Sequence, residues 1–360
     1  MIHKTGKYAE AEEEKKINLE YKKKREHINA EELGVMFESK VKTDLAQHFD
    51  LFDKIEVSVG QGFYSKLNTS INREQLEELA VKFFYSISEE LGERAESIFK
   101  GENSDIQMNL VENSDKFFSE CVRLKIDGSI NFDEKMLEMI RTSDPELYEK
   151  LQENNKEKNI AQISISLKGS IGDLYNLVHE ITHALISNDN STVRILDEVA
   201  TQSMERILDD FLLDLPEEEL KKYNFNETNL RRDIKIRKII SFVSRYIAAK
   251  DFNKEILEKG SESEKAKETL KYFLAQIFQT QFVKNNKSNK KVKILKFMNC
   301  LEEDNLEEAI KNFGMDITNK LRRDFYVQDC INEVKTELEG KKQGKLTSRE
   351  FLEGSDKDDR

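Results

Sequence analysis

Residues 163–185 read Ile163-Ser-Ile-Ser-Leu-Lys-Gly-Ser-Ile-Gly-Asp-Leu-Tyr-Asn-Leu-Val-His-Glu-Ile-Thr-His-Ala-Leu185. The first part alternates: Ile163, Ile165 and Leu167 fall on one side, while Gln162, Ser164, Ser166 and Lys168 fall on the other, which is the period of a strand. Gly169-Ser170 ends it. Leu174, Leu177, Val178, Ile181 and Leu185 then recur at three and four, the spacing of an apolar helix face. On that helix His179 and His183 stand one turn apart on one face, where both imidazoles can reach a single ion. Glu180 lies beside that face, placed to take a proton from a water that the metal activates.

A catalytic zinc usually takes three protein ligands and keeps one position open. The chain has five His, and none follows His183, so a carboxylate on a neighbouring element is expected as the third ligand. The polar break Ser187-Asn-Asp-Asn-Ser191 precedes a second helix, which Ser191 can cap. Glu198 on that helix fits best: Arg194, Thr201 and Gln202 around it are polar, while Leu196, Val199 and Ala200 take the buried side. Asp197 is the alternative, or a group that holds a ligand His by hydrogen bond. If the edge of strand 161–168 flanks the metal, an extended peptide can pair with it, which makes a peptide backbone the natural substrate. Stabilising the oxyanion requires a further donor. Tyr246, Tyr272 and Tyr326 are candidates, and pattern does not choose among them.

Composition agrees with a mainly α fold. Two Pro and 14 Gly in 360 residues leave few helix breakers, and 21 Phe with 10 Tyr supply a core that a disordered chain lacks. A net charge of -12 argues against binding to a phosphate backbone, so no nucleic acid partner is expected. No stretch has the length and apolarity of a membrane span, and the N-terminus lacks a signal-peptide core, so no membrane partner is expected either. Cys121, Cys300 and Cys330 fall in no paired spacing, as in a cytoplasmic protein with reduced thiols.

Working outward, residues 1–35 are dense in Lys and Glu and read as a charged helical arm, either solvated or docking a partner protein or a second copy. Residues 36–340 read as one catalytic domain, and 341–360 as a loose charged tail. Helical periodicity covers 41–58, 71–100, 231–250, 264–284 and 303–313. Stretch 71–100 carries the face Leu76, Leu79, Phe83, Ile87 and Leu91. The segment 101–160 is less regular, with turns expected at Asn103-Ser-Asp105 and Asp127-Gly-Ser129 and a helix opening at Ser143-Asp-Pro145.

The run 165–185 resembles the signature of the oligoendopeptidase F and thimet oligopeptidase family of zinc metallopeptidases. Leu196-Asp-Glu-Val-Ala-Thr-Gln-Ser-Met-Glu-Arg-Ile-Leu208 resembles that family's second zinc helix, with Glu198 at the place of its third ligand. Lys271-Tyr-Phe-Leu-Ala-Gln-Ile-Phe-Gln-Thr-Gln-Phe282 is similar to the helix bearing its substrate-contacting tyrosines and singles out Tyr272. Leu306-Glu-Glu-Ala-Ile-Lys-Asn-Phe-Gly-Met-Asp-Ile317 looks like its closing segment. The resemblance extends over about 45–340, and it implies a zincin-type (gluzincin) helical fold with a small sheet beside the His-Glu-x-x-His helix.

There are departures. Thr182 stands where the family has Gly, the interval from His183 to Glu198 is short, and the chain lacks much of the family's N-terminal half. The family's His ahead of the tyrosine pair has no counterpart around Glu264 to Leu270. Either Tyr272 then acts with another donor, Tyr246 or Arg245, or turnover is slow. The function expected from all this is zinc-dependent cleavage of short or unfolded peptides, with His179, His183 and Glu198 holding Zn2+ and Glu180 as the base. The alternative is a catalytically weak zinc-binding homologue that serves as an interaction module.

Overall fold

The computed structural model describes residues 32–59, 67–112, 118–126, 158–186, 191–260, 263–286, 288–302 and 320–339. Helix α1 (32–44) and, after a single 3-10 turn at Ala46–His48, α2 (Phe49–Val59) open the described chain. Leu33 and Phe37 of α1 are fully buried, so the core begins inside the 1–35 segment read as an arm. Residues 1–31, the expected features at 127–129 and 143–145, the helix at 303–313 and the closing segment at 306–317 lie outside the described residues, as does the 341–360 tail.

The periodic stretch 71–100 forms two helices, α3 (Arg73–Ile87) and α4 (Glu89–Phe99). Asn72 caps the first, accepting from Gln75 N while the Gln75 side chain accepts from Asn72 N. Ser88 divides the two: its backbone is extended and its hydroxyl accepts from Leu91 N, which starts a new helix.

Three strands follow: β1 (Ile106–Glu112), β2 (Ser119–Ile126) and β3 (Lys158–Leu167). The sheet order is β1-β3-β2, with β3 parallel to β1 and antiparallel to β2. The strand expected at 161–168 is therefore real but central. Both of its edges are paired, and a substrate peptide cannot add to it. Register places Ile106, Met108 and Leu110 beside Ala161, Ile163 and Ile165, with Arg123, Cys121 and Ser119 completing the same face. That face is apolar on β1 and β3 and polar on β2.

Gly169 turns the chain from β3 into α5 (Ile171–Leu185) with a φ of +73°, a conformation that favours glycine. Asp173 fixes the turn by accepting from the backbone N–H groups of Lys168 and Gly169, each at 2.8 Å. The segment before α3 pins it from outside, through Ile71 N to Gly169 O and Ile171 N to Thr69 O.

The remainder is helical: α6 (Ser191–Leu213), α7 (Glu217–Lys222), α8 (Glu227–Lys259), α9 (Glu264–Asn285), α10 (Lys290–Glu302) and α11 (Lys320–Glu339). Helix α6 packs on α5, α9 and α10, and α9 packs on α8 and α11. One continuous apolar cluster runs from Leu33 to Leu338. No helix among the described residues is long and apolar enough to cross a membrane, and none of the three cysteines is in a disulfide.

Candidate metal centre

Helix α5 is buried along nearly its whole length, and its His pair emerges where the sheet face turns polar. His179 Nε2 and His183 Nε2 lie 3.0 Å apart. Glu198 Oε2, from α6, lies 3.8 Å from the first and 3.6 Å from the second. Ligands about 2.0–2.1 Å from a tetrahedral ion stand a little over 3 Å from one another, so this triangle is of the size one ion needs. Among the described residues it is the one His/Cys/Asp/Glu group found close enough to hold a metal.

Each imidazole is oriented from behind by a carboxylate of α6. His179 Nδ1 donates to Glu205 Oε1 at 2.7 Å, and Glu205 Oε2 in turn pairs with Arg237 Nη2 of α8 at 2.7 Å. His183 Nδ1 lies 3.0 Å from Asp197 Oδ1, an ion-pair distance though out of line for a full hydrogen bond. Both rings thereby direct Nε2 at the common point. Arg123 of β2 donates to the carbonyls of His183 and Ile186 and stands 3.7 Å from Asp197, tying the end of α5 to the sheet. Arg237 also lies over the Tyr175 ring, 3.6 Å from its centre, and the Tyr175 hydroxyl donates to Asp209.

Electrostatics reflect this crowding. Burial alone would lower the His183 pKa, but Asp197 and Glu198 outweigh it and push it up to about 10. His179 is raised in the same way, burial being overcome by Glu198 and Glu205. Burial would raise Glu198, yet the two His and Arg245 hold it far below the usual carboxylate range. Glu205 likewise falls to about 2 against its burial, through Arg237 and His179. The metal-free cluster thus sets two imidazoles, each with its pKa raised, among the carboxylates of Asp197, Glu198 and Glu205. A divalent ion can take the place of the protons these rings hold.

Glu180 is buried beside the pair, and its Oε1 accepts from Ser119 Oγ of β2 at 2.8 Å. Thr182 fits without strain, its hydroxyl donating to Val178 O at 2.7 Å. Glu198 keeps its second oxygen, Oε1, for Gln202 Nε2 at 2.8 Å and Arg245 Nη2 at 3.7 Å.

Of the aromatic candidates, Tyr272 on α9 reaches the centre through Arg245, whose guanidinium lies 5.1 Å from its ring centre. Tyr246 does not. Its ring joins Phe49 and Phe52 of α2 at 6.2 and 6.4 Å between centroids, on a different face of α8 from Arg245. Tyr246, expected as a second donor, is thus placed among aromatic side chains and is not brought together with the His179–His183–Glu198 triad. Tyr326 is buried in the core on α11.

Sequence reasoning missed Ser119, Arg123, Glu205 and Arg237. Glu205 alone carried a local signal, since it lies seven residues, two helical turns, after Glu198. Comparison of the chain with protein-family models, curated proteins and solved structures finds no match in any of the three, so the reading of this centre rests on its own geometry.

Proposed function

We propose that the protein is a zinc-dependent endopeptidase acting on short or unfolded peptides, as the resemblance to the oligoendopeptidase F family implies. The observation that carries this reading is the meeting of His179, His183 and Glu198 within 4.8 Å with a buried glutamate, Glu180, directly beside them. Two imidazole nitrogens and one carboxylate oxygen, with both rings steadied by carboxylates, are a donor set suited to zinc with a position left open. Bound there, zinc supplies the Lewis acid that activates water and polarises a carbonyl.

The chain's own residues do the rest. Glu180 takes the proton of the attacking water and delivers it to the leaving amine. Ser119 holds one of its oxygens, Oε1, which leaves Oε2 to carry the proton. Asp197 and Glu205 fix the two imidazoles, and the carbonyls held by Arg123 fix the end of their helix.

Substrate docking moves from β3 to β2. Among the described residues β2 has no partner on its outer side. Its inward side chains Ser119 and Arg123 touch Glu180 and the backbone of His183. A peptide added to that edge lies along the metal centre, its main chain paired and its carbonyls presented in turn.

The test is metal analysis together with a quenched-fluorescence peptide library, on wild type and Glu180→Gln. Stoichiometric zinc in both proteins, with cleavage in wild type only, is the expected result. Zinc without cleavage across a broad library would rule the enzyme out.

A further inference from the structure

Peptide hydrolysis builds negative charge on the carbonyl oxygen, and an enzyme needs a fixed donor for it besides the metal. The described groups around the centre can be sorted by what already occupies them. Arg123 is engaged by two backbone carbonyls and Asp197. Arg237 is committed to Glu205 and the Tyr175 face, on the Nδ1 side of His179 and away from the ligand triangle. The Tyr175 hydroxyl is bound to Asp209, and Tyr246 belongs to the aromatic core.

Arg245 differs from all of these. Among the described residues its ion pair is a long one, 3.7 Å, to the oxygen of Glu198 that faces away from the His pair. That oxygen is already satisfied by Gln202 at 2.8 Å. The Nε of Arg245, like that of Arg237, is buried without a hydrogen-bond acceptor among the described residues, but Arg237 has a 2.7 Å ion pair where Arg245 has only the long one, which leaves the Arg245 guanidinium underused for so enclosed a cation. About a fifth of the side chain, 18%, remains accessible, and the head lies toward the Tyr272 ring. A guanidinium stays charged at any working pH and offers five donors in a plane.

We propose that Arg245 is the catalytic residue that stabilises the anion forming on the scissile carbonyl, with the Tyr272 ring as its platform. This rests on the peptidase reading above. It assigns to an arginine on α8 the duty for which no histidine is present after His183. Glu198 then links the two charges: one oxygen faces the metal position and the other steadies the arginine beside it.

Three proteins decide the matter: wild type, Arg245→Lys and Arg245→Met, each zinc-loaded. Zinc content, hydrolysis of the best library peptide and binding of a panel of phosphinic peptides would be measured, the tetrahedral phosphinate standing in for the anion. Zinc content is expected to be equal in all three. The Met variant should lose roughly 100- to 1,000-fold in kcat with KM little changed, and a similar factor in phosphinate affinity. Lys should restore part of both.

Full kcat and unchanged phosphinate affinity in Arg245→Met would overturn the assignment. So would loss of zinc in step with activity, which would reduce Arg245 to a support for Glu198. A wild type that cleaves nothing sinks the peptidase reading, yet the binding measurement still decides Arg245: a lowered affinity in the Met variant upholds it, and equal affinities or a wild type that binds no phosphinate overturn it.

Discussion

Asp197 and Glu198 are neighbours on α6, both buried, and the helix turns them to different tasks. Glu198 Oε2 faces both Nε2 atoms, whereas Asp197 Oδ1 faces the back of His183 at Nδ1. Glu198→Ala should therefore abolish tight zinc binding, while Asp197→Asn should weaken it by about 10- to 100-fold, the usual effect of removing a group that orients a ligand. Equilibrium dialysis against a zinc chelator measures both, and equal retention in the two variants would refute the division of roles. The three members of the candidate triad, His179, His183 and Glu198, were legible in the sequence because all lie on helices whose period is fixed. Ser119, Arg123 and Arg237 were not. They reach the centre from elements other than α5 and α6, Ser119 and Arg123 from β2 and Arg237 from α8, and Ser119 and Arg123 meet their partners across some 60 residues of chain. Nothing local marks such a contact, since a polar side chain on an isolated element looks the same whether it meets solvent or a buried glutamate.

The strands show the same rule for elements. β3 was readable because its inward residues Ile163 and Ile165 are apolar and alternate with polar ones. β2 was hidden because two of its inward residues, Ser119 and Arg123, are polar and meet Glu180 and the end of α5, while Cys121 alone packs against the apolar cluster. Even Cys121 carries the mark of that enclosure, its thiol pushed up to about 12 by burial and by Glu180. The strand beside the candidate centre thus lost the pattern that would have announced it. If β2 is the docking edge, peptide substrates N-methylated at one residue in turn should lose cleavage at alternate positions, since an added strand pairs its N–H groups with the edge at every second residue. A flat profile along the peptide would rule out strand addition. The turn from β3 into α5 makes a second test. Gly169 sits at φ +73°, and a Cβ added there would meet nothing nearer than the Ile71 carbonyl oxygen at 3.9 Å, so space is ample and the backbone alone opposes a side chain. Gly169→Ala should cost about 1–2 kcal/mol of stability by denaturant unfolding, and an unchanged midpoint would show that the turn can relax.

At the scale of the whole molecule the centre joins four parts of one continuous core: the sheet through β2, α5, α6, and the α8–α9 pair. Its charges therefore bear on folding as well as on chemistry. In the metal-free protein His183 is raised from 6.5 to about 10, after its burial is overcome by Asp197 and Glu198. A raised folded-state pKa stabilises fully below 6.5, and that contribution is lost as pH climbs through 10. Glu205 is lowered from 4.5 to about 2, chiefly by Arg237 and His179 acting against burial, so its contribution is complete above 4.5 and is lost as pH falls toward 2. The same ion pairs enter from both sides, and the cluster stabilises the metal-free fold best between these two ordinary values. Zinc reverses the alkaline limb, because it binds the deprotonated imidazoles and displaces protons that the fold itself holds tightly. The rise in melting temperature on adding zinc should then be larger at pH 8 than at pH 6, and calorimetry in buffers of different ionisation enthalpy at pH 7 should find protons released on binding. Equal thermal shifts at both pH values with no proton release would mean that His183 is already neutral in the metal-free protein, and that its carboxylate neighbours orient the ring without charging it.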